Sequence, residues 1–360
     1  MELIYNNKVP YGDIITKANK FKAFKNISNN SCLIYGDNFK ALSSLLKTHR
    51  GKIDLIYIDP PFNTNQVFTI TDNRKNAVSR SKNSLVAYSD NLTRDGFLEF
   101  VRERLILLKE LLSENGSIYL HIDTKVGHYI KILMDEVFGE NNFKNDITRI
   151  KSNPKNFLRS AYGNEKDIIL FYAKNYAKNI WNEVKISIDK NEMGKKFPKV
   201  DKDGRMYTTI PLHAPGESKG ITGQPWRGIN PPEGRHWRTD PAEFDKLDSE
   251  GLIEWSSTGN PRIKKYADDY KGEKMQDVWT FKDPQYPVYP TEKNLDMLKL
   301  IIEQSSKPDS YVLDCFCGSA VTLLAAEELG RKWIGIDSSQ VAINTVKSRK
   351  LLKNYQYYEC

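Results

Sequence analysis

Ile53-Asp54-Leu55-Ile56-Tyr57-Ile58-Asp59-Pro60-Pro61-Phe62-Asn63 reads as an apolar strand running into a stiff polar turn. Its first six residues, β-branched and apolar with one early acid, predict a strand buried on both faces of a parallel sheet. In such sheets function gathers where the strands end. Two consecutive prolines fix φ near −65° and remove two backbone donors, so the carbonyls around them are held rigidly and left free to accept. Asp59 adds a carboxylate acceptor and Phe62 a flat apolar face. Acceptors beside an aromatic plate suit a planar group bearing an exocyclic NH2, and a flipped nucleobase is such a group.

Upstream, Cys32 to Tyr35 predicts a short strand, and Gly36-Asp37-Asn38 a capping turn that opens a helix through Leu46. Strand, helix and the Asp59 strand then predict a right-handed βαβ unit. Residues 1–30, polar and without clear periodicity, read as an N-terminal arm or a poorly packed entry segment. Between Asn63 and Arg94 lies a weakly patterned basic stretch with Arg74 and Arg80, read either as a solvated loop or as one that closes over a polyanion. Phe97 to Leu112 is spaced as a helix stopped by Gly116. Ser117 to Ile122 and Lys166 to Tyr172 read as further buried strands, and His121 reads either as catalytic or, as is commoner for such a histidine, as structural.

Composition changes between Trp181 and Trp279. Five of the six tryptophans lie there, with proline and glycine crowded between Pro211 and Pro241. This predicts an inserted module. Its arginines Arg227, Arg235 and Arg238, interleaved with aromatics and glycine, are candidates for phosphate and base-edge contacts, while its tryptophans, Trp255 among them, read as its core.

The α/β pattern returns after Pro290. Tyr311-Val312-Leu313-Asp314-Cys315-Phe316-Cys317-Gly318-Ser319-Ala320 reads as a strand turning through small residues into a helix, where backbone N–H groups can approach a ligand closely. The next strand ends at Asp337, about twenty residues beyond the glycine turn, where an acid can take two ribose hydroxyls. This half reads as nucleoside-binding.

Size allows two or three domain-sized units in 360 residues. A net charge of +8 and a pI near 9.0 fit a polyanionic partner without requiring one. The four cysteines lack CxxC spacing and the five histidines lack HExxH, so neither zinc nor a disulfide framework is expected. No signal sequence or run of ~20 apolar residues is present, which predicts a cytoplasmic protein without a membrane span.

Asp59-Pro60-Pro61-Phe62 resembles the catalytic motif of amino-methyltransferases acting on DNA bases, whose adenine-N6 branch usually carries Asp first and an aromatic fourth. Asp314-x-Phe316-x-Gly318-Ser319 resembles their S-adenosylmethionine motif, with Ala320 where glycine is usual. Tyr289-Pro290-Thr291-Glu292-Lys293 is similar to their Pro-Thr-Gln-Lys element, with Glu292 replacing Gln. Catalytic motif first, foreign module second and cofactor motif last is the circularly permuted order of the β-class, and Tyr88 to Phe143 is also similar to type III modification subunits.

The resemblance implies an α/β, Rossmann-like methyltransferase sheet, circularly permuted, with an inserted target-recognition domain. Its expected divisions are an arm over 1–30, a catalytic half over 31–178, the target-recognition domain over 179–286 and a cofactor half over 287–360. It implies transfer of methyl from S-adenosylmethionine to adenine N6 in double-stranded DNA, with cytosine N4 as the alternative and a catalytically silent DNA-binding module as a second. Asp59, Pro60, Pro61 and Phe62 would be catalytic. Asp37, Lys293, Asp314, Phe316, Gly318, Ser319 and Asp337 would bind cofactor, and Arg74, Arg80, Arg227, Arg235 and Arg238 DNA. A cognate restriction endonuclease and a homodimer stay open as partners.

Overall fold

A computed structural model describes residues 2–25, 27, 30–61, 67–70, 85–89, 93–153, 160, 162–186, 188–289, 291–352 and 354–360, with backbone alone over 67–70 and 85–89. Phe62, Arg74 and Arg80 lie outside the described residues or side chains. Two compact units emerge, one formed by Met1–Val184 with Met275–Cys360 and the other by Lys185–Lys274.

Among the described residues, nine strands form the sheet of the first unit. In chain order they are β1 (Cys32–Tyr35), β2 (Ile53–Ile58), β3 (Leu112–Ile122), β4 (Phe143–Ile150), β5 (Lys166–Ala173), β6 (Val278–Trp279), β7 (Tyr311–Asp314), β8 (Lys332–Asp337) and β9 (Gln356–Glu359). They lie in the order β6-β4-β5-β3-β2-β7-β8-β1-β9, and β5 alone runs antiparallel to its neighbours. The expected βαβ unit is therefore opened: β1 and β2 are not neighbours, because β7 and β8, made from the last fifth of the chain, lie between them. Hydrophobicity made both strands, but adjacency is a tertiary choice that local pattern does not encode.

Among the described residues, seven helices accompany this sheet: α1 (Tyr11–Asn19), α2 (Asn38–His49), α3 (Arg94–Leu111), α4 (Thr124–Phe138), α5 (Leu295–Ser305), α6 (Val321–Glu328) and α7 (Gln340–Ser348). Buried residues of α1 to α4 pack on Ile34, Ile56, Ile58, Leu120, Ile122, Leu313 and Ile336, one face of the pleat. The other face carries Tyr57 and Tyr119. There the Tyr119 hydroxyl meets Ser305 of α5 at 2.7 Å, and Gly335 admits Leu323 of α6 so closely that a Cβ would come within 2.5 Å of it. The early acid of β2 is explained at the opposite end of the strand from Asp59, where Asp54 accepts from Ser113 and Ser310, both at 2.7 Å.

Other readings of the sequence also need correction. The segment 1–30 is not a loosely packed arm: Ile14 and Ala18 of α1 are buried, and Lys8, Tyr5 and the Val9 carbonyl engage Glu136, Glu99 and Arg102 of α3 and α4. Short apolar spacing in a lysine-rich stretch hid a helix that needs only two buried side chains. Within 63–94, Val67–Ile70 and Leu85–Ser89 pair as antiparallel strands. Among the described residues, no helix is long and apolar enough to cross a membrane.

In the second unit, Ile253–Trp255, Pro261–Tyr266, Met206–Pro211 and Lys199–Val200 form a four-stranded antiparallel sheet, beside a hairpin of His213–Pro215 with Arg235–Trp237. Its core gathers Leu212, Trp226, Trp237, Phe244 and Ile253. Trp255 is not in it: 44% exposed, it lies flat on Trp226 with ring centroids 5.6 Å apart.

Candidate active site

Five neighbouring parallel strands end in acids along one edge of the sheet. Across the sheet these are Asp123 after β3, Asp59 after β2, Asp314 ending β7, Asp337 ending β8 and Asp37 after β1. Clefts at such edges are where open α/β sheets bind ligands. Two of the acids serve local structure: Asp123 caps α4 through the Lys125 N–H at 2.8 Å, and Asp37 caps α2 through the Lys40 N–H at 3.0 Å.

Asp59 follows Ile58 with its side chain on the Tyr57 face. Pro60 behind it is buried. One carboxylate oxygen, Oδ2, is ion-paired with Lys293, and the other, Oδ1, is buried and meets no hydrogen-bond donor among the described residues. A buried acceptor without a donor is costly, about 1–3 kcal/mol, and marks a place where a donor is to be received. The β2–β3 register puts His121 beside Asp59. His121 is fully buried, with Nδ1 2.8 Å from the Tyr57 hydroxyl and Nε2 3.2 Å from Asp167. Burial lowers its pKa, so a neutral imidazole accepts from Tyr57 and donates to Asp167. Burial would raise the Asp167 carboxyl, but His121 and Lys151, the latter at 2.5 Å, hold it well below the usual range. His121 is thus a structural strut under the site.

The turn after β7 is built by carboxylates taking backbone N–H groups. Asp314 accepts from the Phe316 N–H at 3.0 Å, and Asp337 accepts from Gly318 and Ser339, each at 2.8 Å. Burial pushes the Asp314 carboxyl up to about 7, with the charges of Asp59 and Asp337 adding to it. Burial raises Asp337 as well. Both Asp337 oxygens are thus engaged by backbone N–H groups, Oδ2 by Gly318 and Oδ1 by Ser339. Gly318 has φ of +37°, and a Cβ there would come 3.2 Å from the Tyr289 ring, so glycine is what lets tyrosine lie against the loop. Ala320, where glycine was expected, is buried at φ +64° in the left-handed region. An L-residue in that region carries a cost of about 1–2 kcal/mol. The expected packing change is a backbone effect, because the methyl is accommodated and the torsion is strained.

Phe316 tilts against Phe100 at 6.0 Å, and Arg104 lies over Phe100 at 3.8 Å while its guanidinium reaches Asp37 and Asn38. Asn38 in turn donates to the Cys315 carbonyl at 3.1 Å, tying the start of α2 to the loop after β7.

Glu292, the second departure, turns away from the cleft. Its Oε2 accepts from Val288 N–H at 2.5 Å and Tyr289 N–H at 3.4 Å, and its Oε1 pairs with Arg349 at 2.6 Å. Arg349 also donates twice to the Ser319 carbonyl, at 3.2 and 2.9 Å. One guanidinium therefore locks the 288–293 turn to the glycine loop. Charge at position 292 is what recruits it, and nothing local in the sequence announced Arg349.

In the second unit the five arginines divide. Arg227 is held by Asp245 and Asp248 and lies over Trp226, and Arg205 faces Asp268 and Asp269. Arg235, Arg238 and Arg262 have neutral partners instead: His213 at 3.1 Å, the Pro211 carbonyl at 3.0 Å and Thr209. Burial lowers the pKa of His213, and all three guanidiniums lower it further, so their fields converge there. Arg235 and Arg238 are exposed. Among the described residues no cluster could hold a metal ion.

A family of DNA methylases (N6_N4_Mtase) matches residues 53–348. The type II methyltransferase M.EcaI of Enterobacter cloacae is 43% identical, over 88% of this chain and 68% of its own length. The type III StyLTI Mod subunit of Salmonella typhimurium is 27% identical over 86% of this chain, which spans about half of that subunit. The type II methyltransferase M.KpnI of Klebsiella pneumoniae is 27% identical over 84% of this chain and 78% of its own. Since the family match runs from the first residue of β2 to the last of α7, through both the Asp59 turn and the glycine loop, the chain belongs to the N6/N4 DNA methylase family.

Proposed function

We propose that the chain transfers a methyl group from S-adenosylmethionine to N6 of adenine in duplex DNA, on a base turned out of the helix. The observation that carries this reading is the buried Oδ1 of Asp59 at the end of β2, an acceptor without a donor among the described residues. It fits one proton of an exocyclic NH2, and the rigid Pro60 carbonyl fits the other. Asp rather than Ser at the first position of the motif favours adenine over cytosine N4.

S-adenosylmethionine supplies an electrophilic methyl group when bound. The residues present fit it: Asp337 ends β8 where an acid takes ribose hydroxyls, Asp37 stands one strand further on for the adenine side, and the loop over 314–320 offers backbone at the start of α6. An amino nitrogen conjugated with a purine ring is a poor nucleophile. Asp59 and the Pro60 carbonyl, by accepting from it, favour a more tetrahedral nitrogen and stabilise the positive charge that develops there. Phe62 would stack on the base, and the excess proton passes to water.

The second unit serves in this reading as the target-recognition domain, with Arg235 and Arg238 on DNA and Arg227 committed to its own fold. The relatives, one named a type II methyltransferase and one a type III restriction-modification Mod subunit, support a bacterial restriction-modification setting with a cognate restriction endonuclease, in the cytoplasm.

Labelled S-adenosylmethionine and mixed-sequence duplex DNA, followed by nucleoside digestion, test this reading. Labelled N6-methyladenine is expected. N4-methylcytosine would move the base, and an unlabelled duplex with cofactor bound would remove DNA as the acceptor. Asp59→Ala should lower the transfer rate by about 10²- to 10³-fold with both ligands still bound; substantial turnover would take Asp59 out of its role.

A further inference from the structure

Lys293 belongs to the element that resembles a cofactor-side motif, yet its ammonium is ion-paired with Asp59 Oδ2. Resting on the reading of Asp59 as the group that receives the amino nitrogen, we propose that Lys293 is a positioning residue for that carboxylate. Its ammonium fixes Oδ2 and thereby leaves Oδ1 turned to the incoming NH2.

Three observations converge. Both side chains are largely withdrawn from water, 9% exposed for Lys293 and 18% for Asp59, so the pair is poorly screened and holds one geometry. The two carboxylate oxygens are treated differently: one has a cation, and the other, buried, has no hydrogen-bond donor among the described residues. Moreover, the turn that carries Lys293 is fixed from several sides. Glu292 binds the N–H groups of Val288 and Tyr289, Arg349 binds Glu292, Lys293 donates to the Thr291 carbonyl at 3.2 Å, and Asn294 caps α5 through the Met297 N–H at 3.1 Å. Thr291, β-branched, is held at φ +60° within that turn. Backbone strain persists only where its surroundings over-determine it, and such places cluster at functional sites.

Electrostatics gives the clamp a purpose. An unpaired carboxylate beside a site that receives a cationic sulfonium would be drawn to that cation and away from the base. With Oδ2 neutralised by Lys293, Oδ1 is left for the neutral amino group. Lysine, a compact point charge on a long stem, can do this without occupying the second oxygen, whereas a bidentate guanidinium fork would compete for both.

The test uses the full chain with a duplex containing its mapped target, and compares K293M, K293R, D59N and the K293M/D59N double variant. Two quantities are read: calorimetric affinity for S-adenosylmethionine, and single-turnover methyl transfer at saturating cofactor. For K293M the expected result is a transfer rate lower by about 100-fold, as misplacing a reacting group costs, with cofactor affinity within about 3-fold. K293R should stay impaired in transfer, because its fork would compete for both carboxylate oxygens; a K293R rate equal to the wild type would overturn that part of the proposal. K293M/D59N should be no slower than D59N, because residues that act through one another are not additive. That double variant leaves no unpaired buried charge, so it keeps the comparison if K293M fails to fold. A K293M protein that loses cofactor affinity but transfers at the normal saturated rate would overturn the proposal and make Lys293 a cofactor ligand. Multiplying rate losses in the double variant would also overturn it. A wild-type chain that binds cofactor and labels no DNA base would remove the function itself, and the proposal with it.

Discussion

Replacing Asp314 with asparagine should change how stability depends on pH, and the sign follows from burial. In the folded chain this carboxyl is held near 7 by desolvation, with Asp59 and Asp337 adding to the shift, against about 3.8 for an exposed one. The raised folded pKa means that the native state keeps a proton the unfolded chain has released. The stabilising contribution is full below the unfolded pKa and is lost as pH rises through the folded value. Between pH 5 and pH 8, Asp314 should therefore remove on the order of 2 to 3 kcal/mol from the wild type, as unequal protonation over that range implies. Asparagine does not titrate, and its carbonyl can still accept from the Phe316 N–H. Thermal or urea unfolding of the two proteins across that range, without cofactor, should show the wild type losing stability relative to D314N as pH rises. Parallel curves would refute the reasoning, because they would mean that the buried carboxyl is already ionised at pH 5 and that the turn holds a full negative charge.

Ala320→Gly should raise stability by up to about 1 kcal/mol by relieving the left-handed torsion, less the entropy that glycine adds to the unfolded chain; a lower melting temperature would mean that the methyl packs more than it strains. Arg349→Met strips both the Ser319 carbonyl and Glu292 of their partner, so affinity for S-adenosylmethionine should fall by about 10-fold, as for loss of an outer-layer support, and unchanged affinity in calorimetry would uncouple the 288–293 turn from the loop. Arg235→Ala and Arg238→Ala should each reduce the slope of log affinity for DNA against log salt by about 0.9, while Arg227→Ala, which breaks a clamp within its own unit, should leave that slope alone. A flattened slope in Arg227→Ala would reverse the division among these arginines.

Strands, and the acids that end them, were readable in advance because each is a short contiguous β-branched run closed by a turn residue: Ile53 to Ile58, Tyr311 to Asp314 and Trp333 to Asp337. What was unreadable depends on partners far apart in the chain. Lys293 meets Asp59 from 234 positions away, a separation that no local pattern expresses. Glu292 was visible as a charge out of place, but its Arg349 partner was not. Arg227, Arg235 and Arg238 look alike in sequence; only folding shows that Asp245 and Asp248 claim the first. Position 320 had the right size of residue to be noticed, and the sign of its φ was the hidden part. The N-terminal helix was missed because two buried side chains, Ile14 and Ala18, are too few to make a period.

The placement of β7 and β8 between β1 and β2 has a consequence for how the chain is born. A ribosome releases β2, with its catalytic turn, some 250 residues before β7 exists to pair with it. Until then both β1 and β2 present open edges, and the central pairing closes a very long loop, the kind of contact that makes folding slow. Chains cut anywhere before residue 311 would carry a strand of bare apolar residues with no neighbour on one side, a surface that invites aggregation. Synthesis thus has to reach the last fifth of the sequence before the acid at position 59 acquires the neighbour that gives it an active-site edge.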